Sequence, residues 1–496
     1  MLQEPINDSM NGAAATSPSS ATTRAELLWL ASALALGAVL IFWRLADTSL
    51  IPDEAFYYRE SIAPLPALIH ITVYGNFHPP LFYLIFHYID AWLHLPPQAY
   101  RYFTAPFGLL TIVATWALAR RWFGPVAATL AAFVAATEPM LISEDRLFRM
   151  YVIVTALCMA SWWLLMEAQD ALGARRRWLW VGYGAIVIAI PYTLYLGAFF
   201  VAAQALYALV RRGPALPALG WGAAAAAVLI PWWWALKIQL PHGAFPGAAV
   251  DPWPIATAVL LMTPPATWVS PAFNVCVTVF GLGVVIAACW LGRRTPLPYL
   301  FLPLLAQLAI TAFAHRDLLI YRYLTLSLPA FAIAVVVVVV TLWHSRARVA
   351  GVAMFLIVLG ANVISVANFL LDPYYQRTDW YAVEIAIHGK AKPDDALVFN
   401  QMEPYLIVDR SPDVRGHEVY LASYPVPAQA AIPWLDERPN VRIWYIENQA
   451  DFSDPNRLIQ QHLNGTRPLL YTLLQKHASL SDWALVQLYG PMRPAH

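Results

Sequence analysis

Eleven times along this chain an apolar run reaches or approaches the length that crosses a bilayer, about 20 residues at roughly 1.5 Å each. The runs are 27–46, 102–119, 125–141, 151–170, 178–192, 194–210, 217–236, 272–291, 298–314, 323–342 and 349–369. A soluble chain would carry roughly a quarter charged residues, whereas these 496 residues are 12% charged and 59% hydrophobic. The sequence therefore predicts an all-α polytopic membrane bundle of about eleven transmembrane helices.

The basic residues give the bundle a direction. Lys and Arg favour cytoplasmic loops, and Arg24, Arg120–Arg121, Arg175–Arg177, Arg211–Arg212, Arg293–Arg294 and the Arg346/Arg348 pair fall at alternate turns. That parity puts the N-terminus inside and the C-terminal residues outside. The segment "PLFYLIFHYIDAWLHL" at 80–95 is long enough to tempt a twelfth span, but crossing there would turn every later Arg cluster outward. It is read as a helix lying in the interface, with Tyr83, His87, Asp90 and His94 as its polar stripe. The run 178–210 is too long for one pass, and "IPYTLY" places Pro191, Tyr192, Thr193 and Tyr195 at an outer turn.

Three regions follow. Residues 1–24 are rich in Ser, Thr, Ala and Asn and read as a disordered cytoplasmic tail. No small-residue cleavage site closes the run Leu27–Trp43, so it is read as an uncleaved first span of a transmembrane module covering 25–370. Residues 237–271 form an outer loop rich in Pro and Trp. Beyond it, "DWYAVEIAI" has the pattern of a helix, and "DALVFN", "VRIWYIE" and "WALVQLYG" read as short buried strands. Residues 371–496 are thus expected to form a small extracytoplasmic α/β domain. Cys158, Cys276 and Cys289 all lie in apolar runs and read as packed small hydrophobes.

A net charge of +1 without any block of like charge gives no footprint for nucleic acid. A charge at the bilayer centre costs about 2.5–3.5 kcal/mol on insertion scales, and ion-coupled carriers tolerate a few there for their function. This chain has almost none in mid-span. Its charges collect instead in the outer loops: Asp53, Glu54 and Arg59; then Glu144, Asp145, Arg146 and Arg149; then Arg316, Asp317 and Arg322. Arginines on the outer face oppose the usual bias. A guanidinium can hold two phosphate oxygens at once, and a carboxylate on an accessible loop can take a proton from a hydroxyl nucleophile. A phosphate leaving group needs cations, supplied by Arg or a divalent metal, rather than a general acid. His87, Asp90 and His94 have a spacing compatible with a metal site, but an interfacial polar face explains them more simply. Acid, arginine and apolar wall together describe transfer of a group from a lipid phosphate to an alcohol.

Several stretches carry a family resemblance: "PDEAFYY" in the first outer loop, "FHPPLFYLIF", "ARRWFGPVAATLAAFVAATEPM", "RMY" at 149–151, "YRYLTLSLPAFAIA" at 321–334 and "TDWYAVEIAIHGKAKPDDALVF" at 378–399. In their order and spacing the chain resembles bacterial GT-C superfamily glycosyltransferases, near the protein O-mannosyltransferases and aminoarabinose transferases. The resemblance implies a hexosyl or pentosyl transferase of the bacterial inner membrane, acting on the extracytoplasmic side. Its donor would be a sugar linked to polyprenyl phosphate, and its acceptor a lipid, glycan or protein hydroxyl. Asp53 then matches the first-loop base, with Glu54 beside it. In an extended segment successive side chains diverge, so one of the two faces the substrate. The second acid is Glu144 or Asp145, because relatives carry it two residues before "R-x-Y", where Leu147 stands here. Arg322 is expected on the donor phosphate, followed by Arg149, Arg146 and Arg316. His78, Tyr57, Tyr192 and Tyr195 are candidates for the substrate pocket, and a bound metal is left open. The competing class is a transporter or flippase of a lipid-linked substrate, which would move it without cleaving a bond. A non-catalytic scaffold with a partner-binding outer domain is the third.

Overall fold

A computed structural model describes residues 23–239, 245–246, 271–314, 316–318, 320–409, 411, 414–422, 428–448, 450, 454–475 and 484–493. Most of the N-terminal tail, most of the outer loop at 237–271 and His315 lie outside the described residues. The chain opens with α1 (Arg24–Phe42), followed by three helices at one end of the bundle: α2 (Pro52–Ile62), α3 (Leu65–Tyr74) and α4 (Leu81–Leu93).

The next apolar stretch, Pro97–Thr137, is 41 residues long, about 60 Å if straight, or twice the hydrocarbon core. It is interrupted at Gly124, whose φ of 86° is open to glycine, with Pro125 opening the second half. Gly37 of α1 lies against both Ile112 and Ala136, one twelve residues before Gly124 and the other twelve after. The two halves therefore run back alongside each other as a hairpin, as the separate runs at 102–119 and 125–141 anticipate. The remaining spans are helices at Met150–Asp170, Gly173–Thr193, Ala198–Arg211, Pro217–Leu229, Pro271–Leu291, Leu302–Ala314, Leu328–Trp343 and Arg348–Leu371. Among the described residues, six helical segments are long and apolar enough to cross a membrane by themselves. The buried core is built largely of Ala, Val, Leu and aromatic side chains from these helices.

Ion pairs and a carbonyl bond gather most of the basic loops at one end. Arg120 Nε bonds Glu26 of α1 at 2.7 Å, Arg121 pairs with Glu167 and Asp170, Arg175 with Glu167, and Arg211 donates to the Arg294 carbonyl. At the opposite end Arg101 donates to the carbonyls of Leu45 (3.0 Å), Thr48 (3.1 Å) and Ser49 (2.8 Å). The chain thus leaves the bundle near Leu45 and re-enters at the same place. The segment 45–101, with its helices of 10 and 13 residues, therefore begins and ends at the same end of the bundle.

Three members of the polar stripe of α4, Tyr83, His87 and Asp90, turn inward, and His94 at the helix end is exposed. Tyr83 meets Asn76, the His87 ring meets the Ser61 carbonyl, and Tyr100 donates to Asp90. The exposed side of α4 is the apolar one, carrying Ile85, Tyr88 and Trp92. Buried hydrogen-bonding groups demand partners more strongly than apolar groups demand cover.

The C-terminal region is a five-stranded mixed sheet. After a two-residue ladder between β1 (Phe245–Pro246) and β2 (Arg316–Asp317), its strands are β3 (Ala396–Phe399), β4 (Glu418–Leu421), β5 (Ile443–Asn448), β6 (Leu469–Gln475) and β7 (Ala484–Tyr489). The order is β4-β3-β5-β7-β6, with β3 parallel to β4 and β5, and β7 antiparallel to β5 and β6. The three strands anticipated from apolar runs are the three inner ones, buried on both faces. This domain stands on the end of the bundle that bears α2. Trp380 N donates to Ser49 Oγ (2.9 Å), Gln98 to Tyr381 Oη (2.5 Å), and Arg59 of α2 pairs with Asp409.

Candidate functional site

Pro52 occupies the first turn of α2, where its fixed φ suits a helix start. The Asp53–Glu54 pair is therefore helical rather than extended, and a turn of about 100° per residue separates its members. Glu54 points into the protein and is fully buried. It accepts from Arg101 Nε (2.8 Å) and Nη2 (2.5 Å), Phe148 N (2.7 Å) and Ile51 N (3.0 Å). Burial opposes its charge, but Arg101 and these donors outweigh burial and hold the carboxyl below its ordinary 4.5. Glu54, anticipated as a catalytic candidate, has no surface left for a substrate; with Arg101 it clamps the start of α2. Removing one partner of such a pair costs roughly 3–5 kcal/mol. Arg101→Met is accordingly expected to lower the thermal stability of the purified protein sharply, with Glu54→Gln milder because an amide still accepts from Phe148.

Asp53 faces the other way. Its side chain is 39% accessible, yet protein surrounds it, and its Oδ2 lies 3.0 Å from Arg149 Nη2 and 3.5 Å from Arg322 Nη1. Burial raises its pKa, but Arg149, Arg322 and Arg377 more than compensate, and the carboxyl sits below its ordinary 3.8. Asp53 is a carboxylate at neutral pH.

Arg149, at the N-cap of Met150–Asp170, is 1% exposed. Its guanidinium stacks over the rings of Tyr57 (5.6 Å) and Tyr151 (4.7 Å), and Nη1 lies 3.8 Å from Glu144 Oε2. Its Nε and Nη1 have no hydrogen-bond partner, an expensive state for a buried donor. Glu144 also receives Arg377 Nη2 at 3.2 Å, and the same nitrogen bonds Ser143 Oγ at 3.1 Å.

Of the two acids in the second loop, only Glu144 joins this cluster. Asp145 is turned against Gly108, where even a methyl group would collide with its carboxyl. Burial, then Glu144 and Glu138, push its pKa well above the ordinary value. Asp145 is thus packed in the interior, away from the arginines. Arg146 is likewise structural: it donates to the carbonyls of Leu40 (3.0 Å) and Ile41 (2.8 Å), capping the C-terminus of α1. Burial and the neighbouring Arg101 bring its pKa down to about 10. Arg316 lies in β2, and its side chain falls outside the described residues.

Tyr57 and His78 stand beside the cluster, with Tyr57 Oη 3.1 Å from His78 Nε2. Burial, then Arg149 and Arg322, lower the His78 pKa to about 3, so its ring is neutral. Tyr195 reaches this region indirectly. It donates to Gln239 (2.5 Å), which in turn donates to the carbonyls of Thr72 (2.5 Å) and His78 (3.1 Å). Tyr192 bonds the Val228 carbonyl and braces two helices.

Sequence reasoning missed Arg377, the third guanidinium. The signal was there, because Arg377 follows the last span on the face where arginines are unexpected. Three guanidiniums, on Arg149, Arg322 and Arg377, oppose two carboxylates, on Asp53 and Glu144, leaving one net positive charge. Both carboxylates are taken up by arginines, and the described residues contain no group of three His, Cys, Asp or Glu side chains placed to hold a metal. The cluster suits an anion.

No family model matches the sequence, and no curated protein matches it as a relative. Solved structures do. ArnT from Cupriavidus metallidurans in the apo state superposes with a TM-score of 0.55 at 15% identity, over 93% of this chain and 97% of that one. The same protein bound to undecaprenyl phosphate gives 0.53 at 15% identity, over 94% and 98%. This chain has the GT-C fold. The oligosaccharyltransferase AglB of Archaeoglobus fulgidus, solved with an inhibitory peptide and a dolichol-phosphate, shares the GT-C fold at a TM-score of 0.51 and 13% identity, over 86% of this chain and 70% of that one.

Proposed function

We propose that the protein transfers a sugar from a polyprenyl-phosphate donor to a hydroxyl acceptor, with Asp53 as the base and Arg149, Arg322 and Arg377 on the donor phosphate. The observation that carries this reading is the accessible carboxylate of Asp53 beside a buried guanidinium with unpaired N–H groups. The GT-C fold supports it, since the solved ArnT and AglB structures hold undecaprenyl phosphate and dolichol-phosphate.

A phosphodiester donor brings one negative charge and neutralises the excess of one guanidinium. The acceptor hydroxyl gives its proton to Asp53 as its oxygen bonds the anomeric carbon, and the carbon–oxygen bond to phosphate breaks. The lipid phosphate leaves with one more negative charge than it brought. The arginines stabilise that developing charge, and no acid is needed on the leaving group. Donor binding also helps the base: phosphate draws on the arginine charge that keeps Asp53 weakly basic, so its proton affinity rises when the donor is in place. With one accessible carboxylate, a single displacement with inversion fits the site. Glu144 holds Arg149 and Arg377 in position. We place this chemistry on the extracytoplasmic face of a bacterial inner membrane, because the basic loops occupy the other end of the bundle.

Mass spectrometry of envelope lipids, glycans and proteins from cells with and without an active copy tests the proposal. One sugar should vanish from one acceptor while its lipid-linked donor accumulates. An unchanged inventory of glycosylated species would contradict it.

A further inference from the structure

Asp53, Tyr57 and Glu60 lie at positions i, i+4 and i+7 of α2 and share one face of that helix. The first two belong to the site above, whereas Glu60 is 2% exposed and is used by nothing described so far. Its Oε1 lies 2.5 Å from Thr72 Oγ1, and its Oε2 accepts from Asn76 Nδ2 at 2.6 Å. Asn76 gives a second amide hydrogen to Tyr83 Oη at 2.7 Å. The Asn76 carbonyl oxygen accepts from the backbone N–H of Phe77 (2.7 Å) and of His78 (3.2 Å).

Counting hydrogens admits an assignment in which the Glu60 carboxyl carries a proton. Thr72 has one hydroxyl hydrogen, and its Oγ1 also lies 2.8 Å from the Leu68 carbonyl, which can only accept. If the Thr72 hydrogen goes to Leu68, the 2.5 Å contact to Glu60 needs a hydrogen from the Glu60 carboxyl. With that proton every short contact in the group has a donor and an acceptor.

We propose that Glu60 is a positioning residue that works as a neutral carboxylic acid, tying α2 to α3 and, through Asn76, holding the 76–78 turn so that His78 meets Tyr57. Tyr57 and His78 flank Arg149, so the acid acts on the anion site through them. The titratable group facing Glu60 from α4 is Tyr83. From α3 and the 76–78 turn it meets Thr72 and Asn76, which do not titrate. The 402–408 helix packed on α2 brings Asp409, which is paired with Arg59. Burial, opposed by Thr72 and Asn76, raises the Glu60 pKa from 4.5 to about 7. The folded state therefore holds this proton more tightly than the unfolded state. Its contribution to stability is complete below about 4.5 and is lost as pH rises towards about 7.

The test uses the full-length protein in lipid nanodiscs. Infrared difference spectra between wild type and Glu60→Gln should show the carbonyl stretch of a protonated acid at pH 5.5, absent from the variant and lost from wild type as pH rises through about 7. Glu60→Gln, which can donate to Thr72 and accept from Asn76, should fold, bind undecaprenyl phosphate within about twofold of wild type, and lose the fall in melting temperature between about pH 4.5 and 7. Glu60→Ala should bind that probe at least tenfold more weakly. A carboxylate signal from Glu60 at pH 5.5, or Glu60→Ala binding as well as Glu60→Gln, would overturn the proposal. The infrared readout needs no activity. The binding readout rests on the proposed donor class, and failure of wild type to bind undecaprenyl phosphate would count against that reading alone.

Discussion

Asp53→Asn is expected to reduce sugar transfer by about 10²–10⁴-fold, the usual worth of a positioned general base, while the protein still folds and inserts. Asn is close in shape and Asp53 is not part of the buried clamp, so α2 keeps its place through Glu54 and Arg101. The same change has an opposite effect on binding. Removing the carboxylate takes Asp53 away from Arg149 and Arg322, so more of their charge falls on the phosphate, although Arg149 keeps its ion pair with Glu144. Undecaprenyl phosphate should bind the variant more tightly than wild type. A purely structural role for Asp53 would weaken turnover and binding together, so measuring both on one preparation separates the two explanations.

Arg149→Gln is the second large effect. Arg149 is buried, stacks on Tyr57 and Tyr151, and connects Asp53 to Glu144. Truncating one member of a buried, hydrogen-bonded charge pair costs roughly 2–5 kcal/mol in binding, which corresponds to a loss of about 30- to 5,000-fold in affinity for undecaprenyl phosphate. Two carboxylates would then face only Arg322 and Arg377, and the net charge of the cluster would fall to zero. Lysine restores the charge but not the flat fork or the ring stacking, so Arg149→Lys should recover only part of the affinity. Calorimetric titration of the three proteins with the lipid phosphate checks the order wild type, Lys, Gln.

The bundle was legible in the sequence because its code is local. Runs of apolar residues mark the spans, and the Arg pairs mark one end, where ion pairs such as Arg120–Glu26 join the loops. Asp53 and Arg322 were also legible as residues, since each is a charge standing outside a span on the less expected face. Which acid of an adjacent pair does what was not legible. Glu54 is claimed by Arg101, 47 positions away, and Asp145 stays out of the cluster because Gly108 lets it sink into the interior. Arg146 looked like a phosphate ligand until the carbonyls of Leu40 and Ile41 were found to hold it. Arg377 was read as the beginning of a separate domain, although it reaches back 233 positions to Glu144. In the small domain the inner strands were visible as apolar runs, whereas β4 and β6 lie at the edges of the sheet, and β6 alternates exposed with half-buried residues while its sequence LLYTLLQ stays apolar on both sides, leaving Leu469, Leu470 and Leu474 exposed. In each of these cases the deciding partner is distant in sequence, and no periodicity reports it.

The central claim is bond cleavage at a polyprenyl phosphate with Asp53 as base. Its most direct measurement is the fate of a labelled polyprenyl-phosphate sugar in proteoliposomes supplied with envelope extract, followed by mass spectrometry of lipid and acceptor. Wild type should release one polyprenyl phosphate for each sugar found on an acceptor, and Asp53→Asn should release almost none while still holding the lipid. Donor that crosses the bilayer intact in both proteins, with no free polyprenyl phosphate formed, would contradict the account and identify a transporter instead.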